Sequence, residues 1–142
     1  MGATLAAAAV ALLVVLRDPS TRQDEQGGNH VKGGELSFEL VSERGHHDPT
    51  RFAQHERFKV LVTCPPDFAE RLHLLVFQGG QRYEPLAPIQ LACGNQVPWS
   101  GAFALDGDQP AEVCVAWGAR AARAQRAGDL SDDAVCSMLA PD

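Results

Sequence analysis

The four cysteines, Cys64, Cys93, Cys114 and Cys136, constrain this sequence more than any other feature. Their number is even, and their wide spacing contains no Cys-x-x-Cys pair of the kind that zinc ribbons and thioredoxin-like sites require. Paired disulfides are therefore the leading interpretation, and they place the protein in an oxidising compartment. The alternative is that the four thiols are buried core residues of a cytosolic protein.

The pairing of these cysteines is open at the level of sequence, because four cysteines allow three connectivities. Local reasoning favours Cys64 with Cys93 and Cys114 with Cys136. The first bond would join two turns, and the second would hold the C-terminal segment against a strand. In the chain-entropy description each bond adds roughly 3 kcal/mol to the stability.

Residues 35–142 carry the pattern of one β domain. Short apolar runs, alternating or continuous, are separated by Gly, Pro, Asn and Asp turn signals, and Gly79-Gly80 predicts a two-residue hairpin. This pattern predicts a mainly β fold, an antiparallel β-sandwich of immunoglobulin-like architecture with one short helix. The predicted strands cover residues 36–41, 57–63, 72–77, 81–86, 89–93, 100–105 and 112–117. Residues 134–139 form either a last strand, which we favour, or a single helical turn.

The short helix is predicted at residues 118–127, which are rich in strong helix formers and are followed by Gly128 as a C-terminal cap. Arg120, Arg123 and Arg126 recur every three residues and would form a basic stripe on it. Such a stripe suits contact with anionic lipid headgroups or with an acidic partner. The plainer interpretation is a solvated helix face.

The N-terminal residues 1–16 form an uncharged apolar run that ends sharply at Arg17. The run is shorter than the roughly 20 residues that cross a bilayer. No basic residue precedes it and Val14-Val15-Leu16 is a poor cleavage site, so a transmembrane anchor whose cytoplasmic flank is missing fits better than a cleaved leader. A buried Ala-rich helix is the competing interpretation. Residues 17–34 are polar and Gly-rich and predict a flexible tether.

The orientation of the anchor is predicted from two signals that disagree. Arg17 and Arg22 follow the apolar run, and the positive-inside rule taken literally would place the domain in the cytoplasm. The four cysteines favour the outside, and we give them more weight because the run looks like the end of a longer helix. The prediction is a single-pass inner-membrane protein with its domain, residues 35–142, in the periplasm.

Catalytic and metal-binding constellations are weak in this sequence. His46, His47, Asp48 and His55 match no zinc pattern, so a solvated loop is the favoured interpretation. Ser100 lacks the first glycine of a nucleophile elbow. The formal net charge of −6 argues against a nucleic-acid partner. We therefore predict no catalytic residue, no metal and no cofactor, and we identify no small-molecule substrate.

Several short motifs give the layout a recognisable character. They are Lys32-Gly33-Gly34, Cys64-Pro65-Pro66, Cys93-Gly94-Asn95, Pro98-x-x-Gly101-Ala102-Phe103 and Val113-Cys114. With the apolar segment and the tether, they resemble the extracytoplasmic domains of bacterial single-pass anti-sigma-factor-like membrane proteins. The resemblance covers nearly the whole chain, but the cytoplasmic zinc-binding His-x-x-x-Cys-x-x-Cys motif of many anti-sigma factors is absent.

This resemblance implies a non-enzymatic, membrane-anchored periplasmic domain that senses or binds a partner in the envelope, as the outer part of a signalling protein. Two alternatives stay open. One is a structural or assembly module of the cell envelope, and the other is a small secreted hydrolase.

Overall fold

The structure is a computed structural model that describes residues 36–45 and 48–142. The predicted anchor and tether, residues 1–34, lie outside the described residues, as do His46 and His47. Within the described ranges, no helix has the length and apolar character needed to span a membrane. The fold is mainly β and contains two sheets, which confirms the predicted class.

The described ranges contain nine strands, one α-helix and one 3-10 helix. The strands are β1 (Ser37–Ser42), β2 (Arg51–Phe52), β3 (Glu56–Thr63), β4 (Leu72–Gln78), β5 (Gln81–Tyr83), β6 (Val97–Pro98), β7 (Phe103–Leu105), β8 (Ala111–Trp117) and β9 (Ala134–Pro141). Helix α1 covers Gly118–Ala121, and the 3-10 helix covers Ala127–Leu130.

The first sheet is built around β3, which pairs antiparallel with β1, β6 and β7. The second sheet has the order β2-β9-β8-β4-β5. Its pairs are antiparallel except β2 with β9, which are parallel. The prediction of a purely antiparallel arrangement is therefore wrong at this edge.

The two sheets share one hydrophobic core. Along β3, Phe58, Val60 and Val62 are buried while Arg57 and Lys59 are exposed, as the period-two pattern predicts. The second sheet contributes fully buried side chains from its central strands, among them Leu72, Leu74, Val76, Val113 and Val115. Burial of each such side chain is worth about 1.5–3 kcal/mol, so this core is the main source of stability.

A smaller second core lies on the other face of the five-stranded sheet. Leu75, Cys114 and Ala116 of this face are covered by Ala124 and Leu130, which follow β8 in the chain. The chain between β8 and β9 therefore folds back over the sheet. This cover explains why the central strands β4 and β8 are apolar on both faces.

Four predicted elements differ from the structure, and one of them, the strand predicted at 81–86, ends at Tyr83. The helix predicted at 118–127 ends at Ala121, because the Asp129 carboxylate accepts the backbone N–H groups of Gln125 and Arg126 and starts the 3-10 turn instead. The strand predicted at 89–93 is reduced to a single bridge between Leu72 and Ile89. The strand predicted at 100–105 begins only at Phe103, after Gly101 at φ +96°.

The two-residue strand β2 lies between β1 and β3, where the sequence predicts no strand. Phe52 is fully buried in the main core, which fixes this segment against β9. Backbone hydrogen bonds complete the attachment, from Ala140 N–H to the Thr50 carbonyl at 2.7 Å and from Asp142 N–H to the Phe52 carbonyl at 2.9 Å.

One carboxylate, that of Glu56 at the start of β3, is fully buried. Its Oε1 accepts the Ser42 hydroxyl at 2.5 Å, and its Oε2 accepts the Ala53 backbone N–H at 2.7 Å. These two bonds satisfy both carboxylate oxygens and tie the end of β1 to the turn before β3.

Candidate functional site

The segment that covers the outer face of the five-stranded sheet, residues 118–133, is here named the arginine loop. It contains α1, the 3-10 helix and the three predicted contact residues Arg120, Arg123 and Arg126, all of which are exposed. The predicted helical stripe is wrong, because Arg123 and Arg126 lie beyond the end of α1. What the three arginines share is a loop rather than one helix face.

A cavity of about 590 Å³ lies between the arginine loop and the β4–β5 hairpin. Gly79 and Gly80 form the hairpin turn at φ +58° and +74°, as the sequence predicts, and a Cβ on either would meet nothing within 4 Å. The space beside both glycines is therefore open. The lining residues are Phe77, Gln78, Gly79, Gly80, Gln81, Gln125, Arg126 and Asp129.

The charged wall of the cavity is formed by Arg126 and Asp129. Arg126 Nε lies 3.3 Å from Asp129 Oδ1, and Asp129 Oδ2 accepts the backbone N–H groups of Gln125 and Arg126. The Gln125 backbone N–H, followed by the Arg126 side chain, lowers the pKa of Asp129 below its ordinary value. Asp129 thus lies beside the Arg126 guanidinium, whose side chain is 84% exposed.

The other two arginines of the loop are differently placed. Among the residues that the structure describes, the side chains of Arg120 and Arg123 form no ion pair. Their positive charges are thus available at the surface of the arginine loop. An acidic group on a partner would meet them without having to displace an existing counter-ion.

A partly buried ionic cluster connects the β5 edge to the arginine loop. His73 Nδ1 lies 2.9 Å from Glu84 Oε1, and Arg82 Nη2 lies 3.9 Å from Glu84 Oε2. Arg82 Nη2 also donates to the Ala121 carbonyl at 3.1 Å. His73 is hydrogen-bonded to Glu84, and the cluster holds the end of α1 against the sheet.

Two members of the histidine cluster suggested by the sequence, His46 and His47, lie outside the described residues. Asp48 Oδ1 accepts the backbone N–H and the hydroxyl of Thr50. His55 Nδ1 lies 2.6 Å from Asp106 Oδ1 at an exposed turn. In this part of the chain no serine hydroxyl is hydrogen-bonded to either His55 or His73, whose partners are carboxylates.

The cysteines form two disulfides, Cys64 with Cys93 and Cys114 with Cys136, which is the pairing that local reasoning favours. None of the four is free. The first joins the end of β3 to the loop at Gly94, whose carbonyl also accepts the Cys64 backbone N–H at 3.0 Å. The second joins directly opposed positions of β8 and β9 beneath the arginine loop, with the two Cα atoms 4.1 Å apart.

No protein family, curated protein or solved structure matches this chain. The site is therefore defined by its own chemistry, an open cavity with an aromatic floor, amide side chains and one exposed guanidinium. Sequence reasoning identified the arginines but missed the cavity and the cluster of His73, Arg82 and Glu84. The cavity has no sequence signal, because its two walls come from segments that are far apart in the chain.

Proposed function

We propose that this chain is a membrane-anchored periplasmic binding or sensing domain without enzymatic activity, the outer part of a single-pass signalling protein of the anti-sigma-like kind. The observation that carries the proposal is the cavity beside Arg126, on a domain whose four cysteines are all paired in disulfides. Paired cysteines suit an oxidising compartment, and an open cavity with an exposed charge suits reversible binding.

At the level of fold, we propose an immunoglobulin-like sandwich as the finer description. Two sheets around one core support it, and the strand pairings are antiparallel apart from the β2–β9 edge. In such sandwiches the loops carry the binding surfaces while the sheets hold them rigidly. The arginine loop is attached in this way by the second core and by the contact of Arg82 with Ala121.

The partner we propose is an envelope protein that presents an acidic side chain to the arginine loop. Arg126 is exposed at the wall of the cavity, and its guanidinium can form a bidentate contact with a carboxylate. Arg120 and Arg123 add unpaired positive charge nearby. The membrane itself is contacted through the predicted anchor at residues 1–16.

The experiment is site-directed photo-crosslinking in the native host. A photoreactive residue replaces Gln125 at the cavity in the full chain, and a second chain carries it at Glu39, an exposed position on β1 of the other sheet. We expect one defined envelope protein to crosslink from position 125 and not from position 39.

The matched variant Arg120→Glu, Arg123→Glu, Arg126→Glu reverses the charge of the loop and leaves the cavity backbone in place. We expect it to abolish the crosslink while the protein still accumulates with both disulfides formed. Equal crosslinking from positions 125 and 39, or a crosslink that survives charge reversal, would refute the proposed surface.

A further inference from the structure

The Cys114–Cys136 disulfide has an acidic neighbour on the outer face of the sheet. The two Sγ atoms and a carboxylate oxygen of Glu112 all lie within 4.8 Å of one another. Glu112 and Cys114 alternate on β8, so their side chains share a face, and Cys136 is directly opposite Cys114 on β9. Three ligand-type atoms thus converge at one point of a rigid sheet.

A third sulfur, that of Met138, lies beside this group by strand register. Met138 is opposite Glu112 in the β8–β9 register and two residues beyond Cys136 on the same face, and it is 54% exposed. An exposed methionine on a sheet face is not explained by packing. Its thioether is a soft ligand of the same class as the two cysteine sulfurs.

The environment of this group allows a small reagent to approach from one side. Cys114 is fully buried, whereas Cys136 and Glu112 are half-buried. Phe77, which is opposite Glu112 in the β4–β8 register, also lines the cavity described above. The open side of the group therefore faces the same surface as the cavity.

We propose that reduction of the Cys114–Cys136 disulfide creates a binding site for a thiophilic divalent cation of the Zn²⁺ class, with Cys114, Cys136 and Glu112 as ligands and Met138 or water in the fourth position. The geometry suits this cation. Two thiolates on a tetrahedral zinc lie about 3.8 Å apart, from Zn–S bonds of about 2.3 Å, and directly opposed strand positions allow that separation after the S–S bond opens.

A protein with two thiols is the reductant of the Cys114–Cys136 disulfide. Its thiolate attacks the more exposed Cys136 sulfur, Cys114 leaves as the thiolate, and the second thiol of the reductant resolves the mixed disulfide. The S–S bond of the domain is reduced to two thiols and the reductant becomes a disulfide. The cation then displaces one proton from each cysteine and meets the Glu112 carboxylate, so two protons are released per cation bound.

The test uses the purified full chain, reduced with a phosphine under anaerobic conditions and titrated with Cd²⁺, whose thiolate charge-transfer absorption reports sulfur ligation. We expect one Cd²⁺ per chain. The variant Cys64→Ser, Cys93→Ser should still bind one, and the variant Cys114→Ser, Cys136→Ser should bind none. Glu112→Gln should weaken binding about tenfold or more at an unchanged thiolate absorption.

Circular dichroism spectra of the same reduced samples show whether the chain is still folded. They distinguish a cation site in the folded domain from cation binding by the thiols of an unfolded chain. Binding with an unchanged β spectrum that depends on Glu112 supports the site. Absence of binding to the reduced chain, binding that persists without Cys114 and Cys136, or binding indifferent to Glu112→Gln would each overturn it. None of these results bears on the proposed partner at the arginine loop.

Discussion

The buried carboxylate of Glu56 gives the sharpest stability prediction. Replacing Glu56 with Ala removes two hydrogen bonds to a charged acceptor, from the Ser42 hydroxyl and from the Ala53 backbone N–H. Such bonds are worth about 1.5–3 kcal/mol each, and relief from burying the carboxylate offsets part of the loss. We expect a net decrease in the free energy of unfolding of about 3 kcal/mol.

The isosteric change Glu56→Gln keeps one acceptor oxygen and should cost less, about 1–2 kcal/mol, because only the charge and one acceptor are lost. Urea denaturation followed by tryptophan fluorescence measures both, since Trp99 is buried in the core. Glu39→Gln is the matched control on an exposed glutamate, with an expected change within about 0.5 kcal/mol. A loss below about 1 kcal/mol for Glu56→Ala would refute the idea that this carboxylate holds β1 to the turn.

Three further predictions follow from particular contacts. Removing either disulfide by paired Cys→Ala changes should lower the free energy of unfolding by about 3 kcal/mol, because the two bonds span sequence separations of 29 and 22 residues. An unchanged urea midpoint would contradict this. Tyr83 is the only tyrosine, and burial, followed by the charge of Asp106, raises its pKa above 10.0. Its phenolate absorption should therefore appear at higher pH than in a peptide, and the Asp106→Asn variant should bring it back to lower pH. The stability that this shift contributes is present below about pH 10 and is lost as the pH rises through the folded-state pKa. Gly101→Ala places a Cβ 3.2 Å from Leu86 at φ +96° and should cost about 1–2 kcal/mol, whereas Gly128→Ala, with open space around it, should change stability by less than about 0.5 kcal/mol.

The parts of the fold that could be predicted are those with a local signal. The alternation along β3 separates buried Val60 from exposed Lys59, and Gly79-Gly80 specifies the hairpin. On β8, Val113 and Val115 face the main core while Cys114 faces the second core, as the pattern predicts. In each case neighbouring residues determine the local structure.

The parts that could not be predicted depend on distant residues. Strand β2 is two residues long and has no periodicity, so its place is set by the pocket that receives Phe52. The helix-forming composition after Gly118 is overridden because the Asp129 side chain binds the backbone at Gln125. Propensity is a weak prior when a tertiary contact opposes it.

Of the candidate site, only the arginines could be predicted from the sequence. Arg126 stands out by spacing, but its ion pair with Asp129 follows from a turn that replaces the expected helix. The contact between His73 and Glu84 crosses from β4 to the end of β5, and no spacing rule links them. The opposition of Cys114 and Cys136 likewise depends on the β8–β9 register.

The central claim, a disulfide-bonded domain held outside the cytoplasm, is tested most directly by thiol labelling in the native host. Spheroplasts that express the full chain are treated with a membrane-impermeant polymer maleimide, with or without prior reduction, in urea at a concentration that unfolds the domain and leaves the spheroplasts intact. The account predicts no mass shift without reductant and a shift of four labels after reduction, one for each of Cys64, Cys93, Cys114 and Cys136. Four labels without reductant, or labelling that requires lysis of the spheroplasts, would contradict it.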